Sequence, residues 1–287
     1  MIKNLRPRSK SLVSVPSRPV FVIGCPRSGT TLLFELLRQH PDLASLASEA
    51  HVLWNAYQHP CRKDWSSDSA AAHDIEPGEP EYVYEAIRSI AGSRRFLDKT
   101  PKNVLKIPYL ERLFPDATYV FLKRDARSTV ASLIEGWRAR HGISYRLPVS
   151  LLLDEYHGRL WSYVLPPGWR ELRRTSIADV AAAQYVTSNE HGRRELSQIP
   201  SERVVEVKFE DLLQEPLSMM EFMMERLGLA RNAAVFHAAE DLSSRQVATV
   251  SPPKPNKWRI REQEISRVWP QLLPTMQHLG YPTPDEP

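Results

Sequence analysis

Two short, uninterrupted apolar runs stand out along the chain. Pro19-Val20-Phe21-Val22-Ile23 and Thr118-Tyr119-Val120-Phe121-Leu122 are patterned as strands buried on both faces of a parallel sheet. Arg203-Val204-Val205-Glu206-Val207-Lys208-Phe209 reads as a third strand, and Phe96-Leu97-Asp98 as the end of a shorter one. Between them apolar residues recur at helical spacing. Leu32, Leu33, Leu36 and Leu37 mark a helix over Thr31 to His40, which His40-Pro41-Asp42 stops. Further helices are predicted over Lys106 to Phe114, Arg127 to Trp137, Ile177 to Gln198 and Leu217 to Leu227, with Gly228 as the last one's cap. Alternating strands and helices predict an α/β, three-layer, P-loop-like fold with a central parallel sheet flanked by helices. Residues 62–85 are polar and acidic and read as an excursion from the core: a solvated insert, or a lid, with a helix starting near Glu81. Residues 138–170, rich in Arg, Pro and aromatics, show no clean period.

Ligands of parallel sheets bind beyond the carboxyl ends of strands. The loop at Gly24, the loop at Lys99 and the segment after Leu122 all follow such ends, so they are expected to converge. The first is the strongest signal. Gly24-Cys25-Pro26-Arg27-Ser28-Gly29-Thr30-Thr31 joins a buried strand to an amphipathic helix. Such a turn aims backbone N–H groups and the positive end of the helix at one point, which suits an anion. Its spacing imitates the nucleoside-triphosphate loop G-x-x-x-x-G-K-[ST], but Thr30 stands where the Lys belongs. Losing the cation that reaches the β- and γ-phosphates argues against ATP or GTP hydrolysis. Arg27 restores one cation, and Ser28, Thr30 and Thr31 add hydroxyls. A second segment, Arg124 to Ser132, places an Arg at a strand end and a Ser two turns into the next helix, which Asp125 can cap. Arg124 and Ser132 can hold a second phosphate with charge-assisted bonds.

Composition adds little that is specific. The 287 residues suit one large α/β domain, and 42% hydrophobic with 25% charged residues is ordinary for a globular protein. A net charge of +4 fits a mildly basic protein or an anionic ligand. Zinc-finger spacing and RNA-recognition signatures are missing, which leaves a nucleic-acid binder little support. Two cysteines fit a reducing compartment. The basic residues 1–18 read as a polar leader without the apolar core of a secretory signal, and no apolar run approaches the roughly 18 residues of a membrane span. The expectation is a cytoplasmic protein, with residues 19–287 forming a single domain.

Taken together, the motifs resemble those of the sulfotransferases that use 3′-phosphoadenosine 5′-phosphosulfate (PAPS). Cys25, Pro26, Arg27, Ser28, Gly29, Thr30 and Thr31 look like that family's 5′-phosphosulfate loop. Arg124 and Ser132, eight positions apart, look like its 3′-phosphate pair. Val207 to Leu212, followed by Pro216 and Leu227-Gly228-Leu229, looks like its late strand–helix element, with Phe209 where a Tyr often sits near the adenine. The motif order is closest to the tyrosylprotein and related bacterial members. They carry an acidic residue shortly after the first helix, matched by Glu49, and a Lys-x-Pro element, matched by Lys99-Thr100-Pro101. The Arg they carry four residues after the phosphate Ser falls here on Gly136. The resemblance implies transfer of a sulfuryl group from PAPS to an alcohol or phenol hydroxyl of a small-molecule or peptide acceptor. Adenosine 3′,5′-bisphosphate would be the product, and no metal is implied. It implies Glu49 as general base, with His51 as rival, and Lys99 and Arg27 as stabilisers of the transferring group. Lys254, Lys257 and Trp258 would close over the 3′-phosphate and adenine. Inserts near 50–90 and 138–185 would shape the acceptor site. The competing readings are a P-loop nucleotide kinase or NTPase, and a non-catalytic nucleotide-binding module.

Overall fold

The computed structural model describes residues 14–242 and 256–282; most of the expected leader and Lys254 lie outside them. Five parallel strands form the sheet: β1 (Val20–Gly24), β2 (Leu43–Ala44), β3 (Arg95–Asp98), β4 (Thr118–Lys123) and β7 (Val204–Lys208), in the order β2-β3-β1-β4-β7. β1 is central. It runs in register with β4 from Val20 opposite Thr118 to Gly24 opposite Leu122, and β4 pairs in turn with β7. From β1 the chain goes out to β2, returns through β3 beside β1, and then crosses to β4 on β1's other side, the switch in strand order at which such sheets open a binding crevice.

Strand alternation divides the core between the two faces. Phe21, Ile23, Tyr119 and Phe121 join Trp54, Tyr109, Phe114 and Tyr185 on one side. Val20, Val22, Val120, Leu122, Val205 and Val207 join Leu33, Leu36, Met220 and Leu227 on the other. The first face packs against α4 (Ile107–Leu113), α5 (Ala126–Arg138) and α6 (Ile177–Leu196), the second against α1 (Thr30–Leu37), α8 (Pro216–Leu227) and α9 (Ala233–Glu240). This is the three-layer arrangement expected of the alternating pattern. Gly228 caps α8 in the left-handed conformation, φ 63°. Asp125 caps α5, its side chain accepting from Ser128 N.

Three segments differ from the sequence expectation. Residues 62–85 are not a solvated excursion. They lead into α3 (Glu79–Ala91) and bury Asp68 and Glu79 completely. Glu79 accepts from Gln58 Nε2, from the Tyr109 hydroxyl at 2.8 Å and from Glu76 N. A buried carboxylate with this many donors is a structural post. Residues 138–170 contain an antiparallel hairpin, β5 (Ile143–Leu153) and β6 (Tyr156–Ser162). Its Trp161 packs edge-on against Trp137 of α5, ring centroids 5.1 Å apart. The stretch after Trp258, for which no element is predicted, forms α10 (Glu262–His278), which buries Ile265, Val268, Trp269, Leu272 and Met276 despite Pro270 and Pro274. Among the described residues no helix is long and apolar enough to cross a membrane.

Candidate active site

The loop after β1 is built to meet an anion. Gly29, at φ 104°, adopts a backbone that an L side chain rarely enters, and a Cβ there would lie 2.2 Å from the edge of the Phe209 ring. Helix α1 starts directly after it without a side-chain cap; Leu32 N donates to Gly29 O at 2.9 Å, while the Thr30 and Thr31 N–H groups lie at the open end of the first turn, where a helix offers its N–H groups no intrahelical acceptor. The Ser28 hydroxyl is buried with no hydrogen-bond partner among the described residues. Leaving a buried polar group unmade is costly. These donors fit a phosphate or sulfate group and leave unused capacity for one. Cys25 contributes backbone only. Its thiol is buried towards Gln184 O of α6, and burial pushes its pKa up.

Arg27 ties this loop to the 124–132 segment. Its backbone is left-handed at φ 72°. That turn presents its carbonyl to Arg124, whose Nη1 donates at 3.0 Å, while its own Nε donates to Ser132 Oγ at 3.2 Å. Arg124 leaves the carboxyl end of β4, and its guanidinium lies 4.5 Å from the centroid of Phe209, the first residue of α7 (Phe209–Gln214). Phe209 therefore joins the loop glycine and the Arg. Asp125 N is held by Glu210 Oε1 at 3.0 Å, which locks the ends of β4 and β7 together.

A second cluster meets the loop at Thr31. Lys99, buried at the end of β3, donates to Thr31 Oγ1 at 3.1 Å and lies 2.5 Å from Glu49 Oε1. The other carboxylate oxygen of Glu49 lies 2.5 Å from His51 Nε2, at the start of α2 (His51–Gln58). Burial pushes the Glu49 carboxyl up, but the His51 hydrogen bond and the Lys99 and His51 charges outweigh it and hold the pKa at about 2. Thr31, Phe34, Glu49, His51 and Lys99 line an open cleft of about 420 Å³. Asp98 does not pair with Lys99, as its neighbouring position allows. It turns to the opposite side and receives Trp54 Nε1, Thr100 Oγ1 and Asn103 Nδ2 at 2.8–3.0 Å. Thr100 Oγ1 accepts from Ala50 N at 3.0 Å. This brace fixes the backbone beside Glu49. Sequence reasoning missed it, although Asp98 and Thr100 flank the Lys99 it singled out.

The expected closing residues approach from the C-terminal side. Lys257 lies 2.9 Å from Glu135 Oε2, one turn beyond Ser132 on α5. Trp258 is buried in the core, with the Arg127 and Arg259 guanidiniums 5.3 and 5.1 Å from its ring centroid. The indole face is thus engaged by cations of the chain itself.

The three-layer α/β scaffold thus carries an anion-type loop, an Arg/Ser pair and a Lys–carboxylate cleft at the carboxyl ends of its strands. Residues 19–233 match the Sulfotransferase family, and the chain belongs to it. It is 29% identical over 209 residues to Nodulation protein NoeE of Sinorhizobium fredii, covering 67% of this chain and 47% of that protein. It is 28% identical over 149 residues to Protein-tyrosine sulfotransferase 2 of Gallus gallus, covering 45% and 40%. The chain thus spans less than half the length of these curated relatives. Among solved structures it resembles the sulfotransferase domain from the curacin biosynthetic pathway (TM-score 0.54, 18% identity, 94% of this chain and all of that one). It also resembles mouse sulfotransferase SULT7A1 complexed with PAP (TM-score 0.52, 12% identity, 91% and 84%).

Proposed function

We propose that this chain transfers the sulfuryl group of PAPS to an alcohol or phenol hydroxyl. The observation that carries this reading is the meeting of three strand-end segments: the loop with its unpartnered Ser28 hydroxyl, Arg124 and Ser132 joined through Arg27, and Lys99 bridging Thr31 and Glu49. PAPS supplies an activated sulfuryl group on a phosphate leaving group. The loop from Cys25 to Thr31 would hold the 5′ end, Arg124 and Ser132 the 3′-phosphate, and Phe209 the base. Lys99 and Arg27 would stabilise charge on the peripheral and leaving oxygens, the main task in such displacements. Glu49 would take the acceptor proton. As Lys99 turns from Glu49 to the sulfuryl oxygens, the carboxylate loses one of the charges that hold its pKa down and becomes a better base. Lys257, held by Glu135 one turn beyond Ser132, would join the 3′ end, and Trp258 would contribute through Arg127 rather than by stacking its own face. The inserts near 50–90 and 138–185 would shape the acceptor side. The two free cysteines, Cys25 and Cys61, support a cytoplasmic setting.

The direct test incubates the purified chain with PAPS and a panel of phenols and alcohols without added Mg²⁺. Acceptor-dependent formation of adenosine 3′,5′-bisphosphate is the expected result. Mg²⁺-dependent ATP turnover with no use of PAPS would sink the reading and favour a kinase or NTPase. Binding of the bisphosphate with no transfer to any acceptor would favour a silent nucleotide module. A companion measurement addresses the second phosphate. Arg124→Ala removes a cation whose charge-assisted bond contributes about 1.5–3 kcal/mol. Calorimetric titration is expected to give a Kd for adenosine 3′,5′-bisphosphate about 10- to 100-fold weaker, with the affinity for adenosine 5′-monophosphate nearly unchanged. Equal losses for both nucleotides would place Arg124 elsewhere.

A further inference from the structure

Tyr163 carries a strain that the core does not explain. It follows β6 in the left-handed region, φ 65°, where a bulky aromatic residue is an outlier. Such a conformation persists where the surroundings over-determine it, and it collects at working sites. Here two glycines make the room. A Cβ on Gly142 would lie 2.4 Å from the edge of the Tyr163 ring, and a Cβ on Gly136 would lie 1.7 Å from its hydroxyl oxygen. Tyr163 N donates to Gly142 O at 2.8 Å, and His141 Nδ1 lies 3.3 Å from the hydroxyl. The loop and hairpin thus hold one phenol against one spot on α5.

That spot adjoins the anion pair. Gly136 stands four residues after Ser132, so the two share a helix face with Cβ positions about 5–6 Å apart. Ser132 is bonded to Arg27. The Arg27 charge is felt at both Tyr163 and His141. We propose that the Tyr163 hydroxyl is a further donor to the 3′-phosphate held by Arg124 and Ser132, with His141 fixing its direction; this rests on the reading of that pocket as the 3′-phosphate site. In the tautomer that carries its proton on Nδ1, His141 donates to the phenol oxygen, which leaves the phenol hydrogen for the phosphate. Burial pushes the Tyr163 pKa up to about 12 against the opposing pull of Arg27, so the phenol keeps its hydrogen across the working pH range. Burial and the Arg27 charge hold the His141 pKa below its ordinary value, against the pull of Glu49.

The test is Tyr163→Phe, which keeps the ring and its packing, read by titration with two ligands. Adenosine 3′,5′-bisphosphate is expected to bind about 10-fold more weakly than to the wild type, in line with a hydrogen bond to a charged group. Adenosine 5′-monophosphate, which lacks the 3′-phosphate, is expected to bind as before. Gly136→Ala, which displaces the hydroxyl, should produce the same selective loss and add little in the Tyr163→Phe background. Unchanged selectivity in Tyr163→Phe, or equal losses for both ligands, overturns the role of Tyr163 while the Arg124–Ser132 site stands. A wild type that does not prefer the bisphosphate removes the site and this inference with it.

Discussion

Glu49→Gln is expected to lower kcat for sulfuryl transfer by about 10²–10⁴-fold, the usual contribution of a positioned general base, with little change in nucleotide affinity. The substitution keeps the size of the side chain and its capacity to accept from Lys99, so the cleft should not collapse. What it removes is the atom that takes the proton. The pKa of about 2 makes a further demand. A carboxylate held that low is ionised throughout pH 5–8, so the fold-loss in Glu49→Gln should be the same across that range. His51→Asn separates the two candidate bases. If Glu49 is the base, losing the His51 hydrogen bond lets the Glu49 pKa rise, and activity should fall far less than in Glu49→Gln. A variant of His51 that is as inactive as Glu49→Gln, with Glu49→Gln retaining most of its rate, would transfer the role to His51. Stopped-assay rates at saturating PAPS, with bisphosphate affinity measured alongside, decide between these outcomes.

The parts of this molecule that were legible in its sequence are those in which local pattern and tertiary role coincide. The loop from Gly24 to Thr31 sits where a buried strand meets an amphipathic helix, and both periods mark it. Arg124 and Ser132 follow a strand end and a capped helix start, so topology carries them to the loop. The hairpin was harder to see. Tyr145, Leu147, Val149, Leu151 and Leu153 alternate correctly and are buried or half-buried, but Pro148 and Leu152 interrupt the polar face and demote the run. Helix α10 was hidden by Pro270 and Pro274, which ordinarily end a helix. Tyr163 could not be found locally at all. Its site is made by glycines 27 and 21 residues before it, and only the fold joins them.

Asp68 shows the same limit, and it makes the strongest demand on stability. The acidic composition of residues 62–85 argues for solvent, yet Asp68 is fully buried between two buried lysines, Lys102 and Lys106, each 4.0 Å from its Oδ1. It also accepts from the Tyr145 hydroxyl and, at 2.6 Å, from Leu165 N. The Lys102 ammonium sits 3.7 Å from the centroid of the Tyr145 ring. One carboxylate therefore serves two ammonium groups in a water-poor interior, beneath the hairpin and beside the Lys99 loop. Asp68→Ala leaves both cations without their counter-charge and is expected to destabilise the fold by about 3–5 kcal/mol, the cost of breaking a buried pair from one side. Tyr145→Phe, which removes one donor and keeps the ring over Lys102, should cost about 1–3 kcal/mol. The pH dependence separates charge from packing. Burial, only partly opposed by Asp68, pulls the Lys102 pKa down and brings that of Lys106 to about 8. For a lysine depressed in the folded state, stability falls as pH drops from the unfolded value of about 10.4 to the folded pKa, and is level below it. Without Asp68 both pKa values fall further, so the deficit of Asp68→Ala should be largest at pH 7 and shrink at pH 9.5, where the amines can shed their protons. Urea unfolding of both variants at the two pH values measures this. A deficit that is equal at both would mean that Asp68 acts by filling space and accepting hydrogen bonds, not by balancing charge.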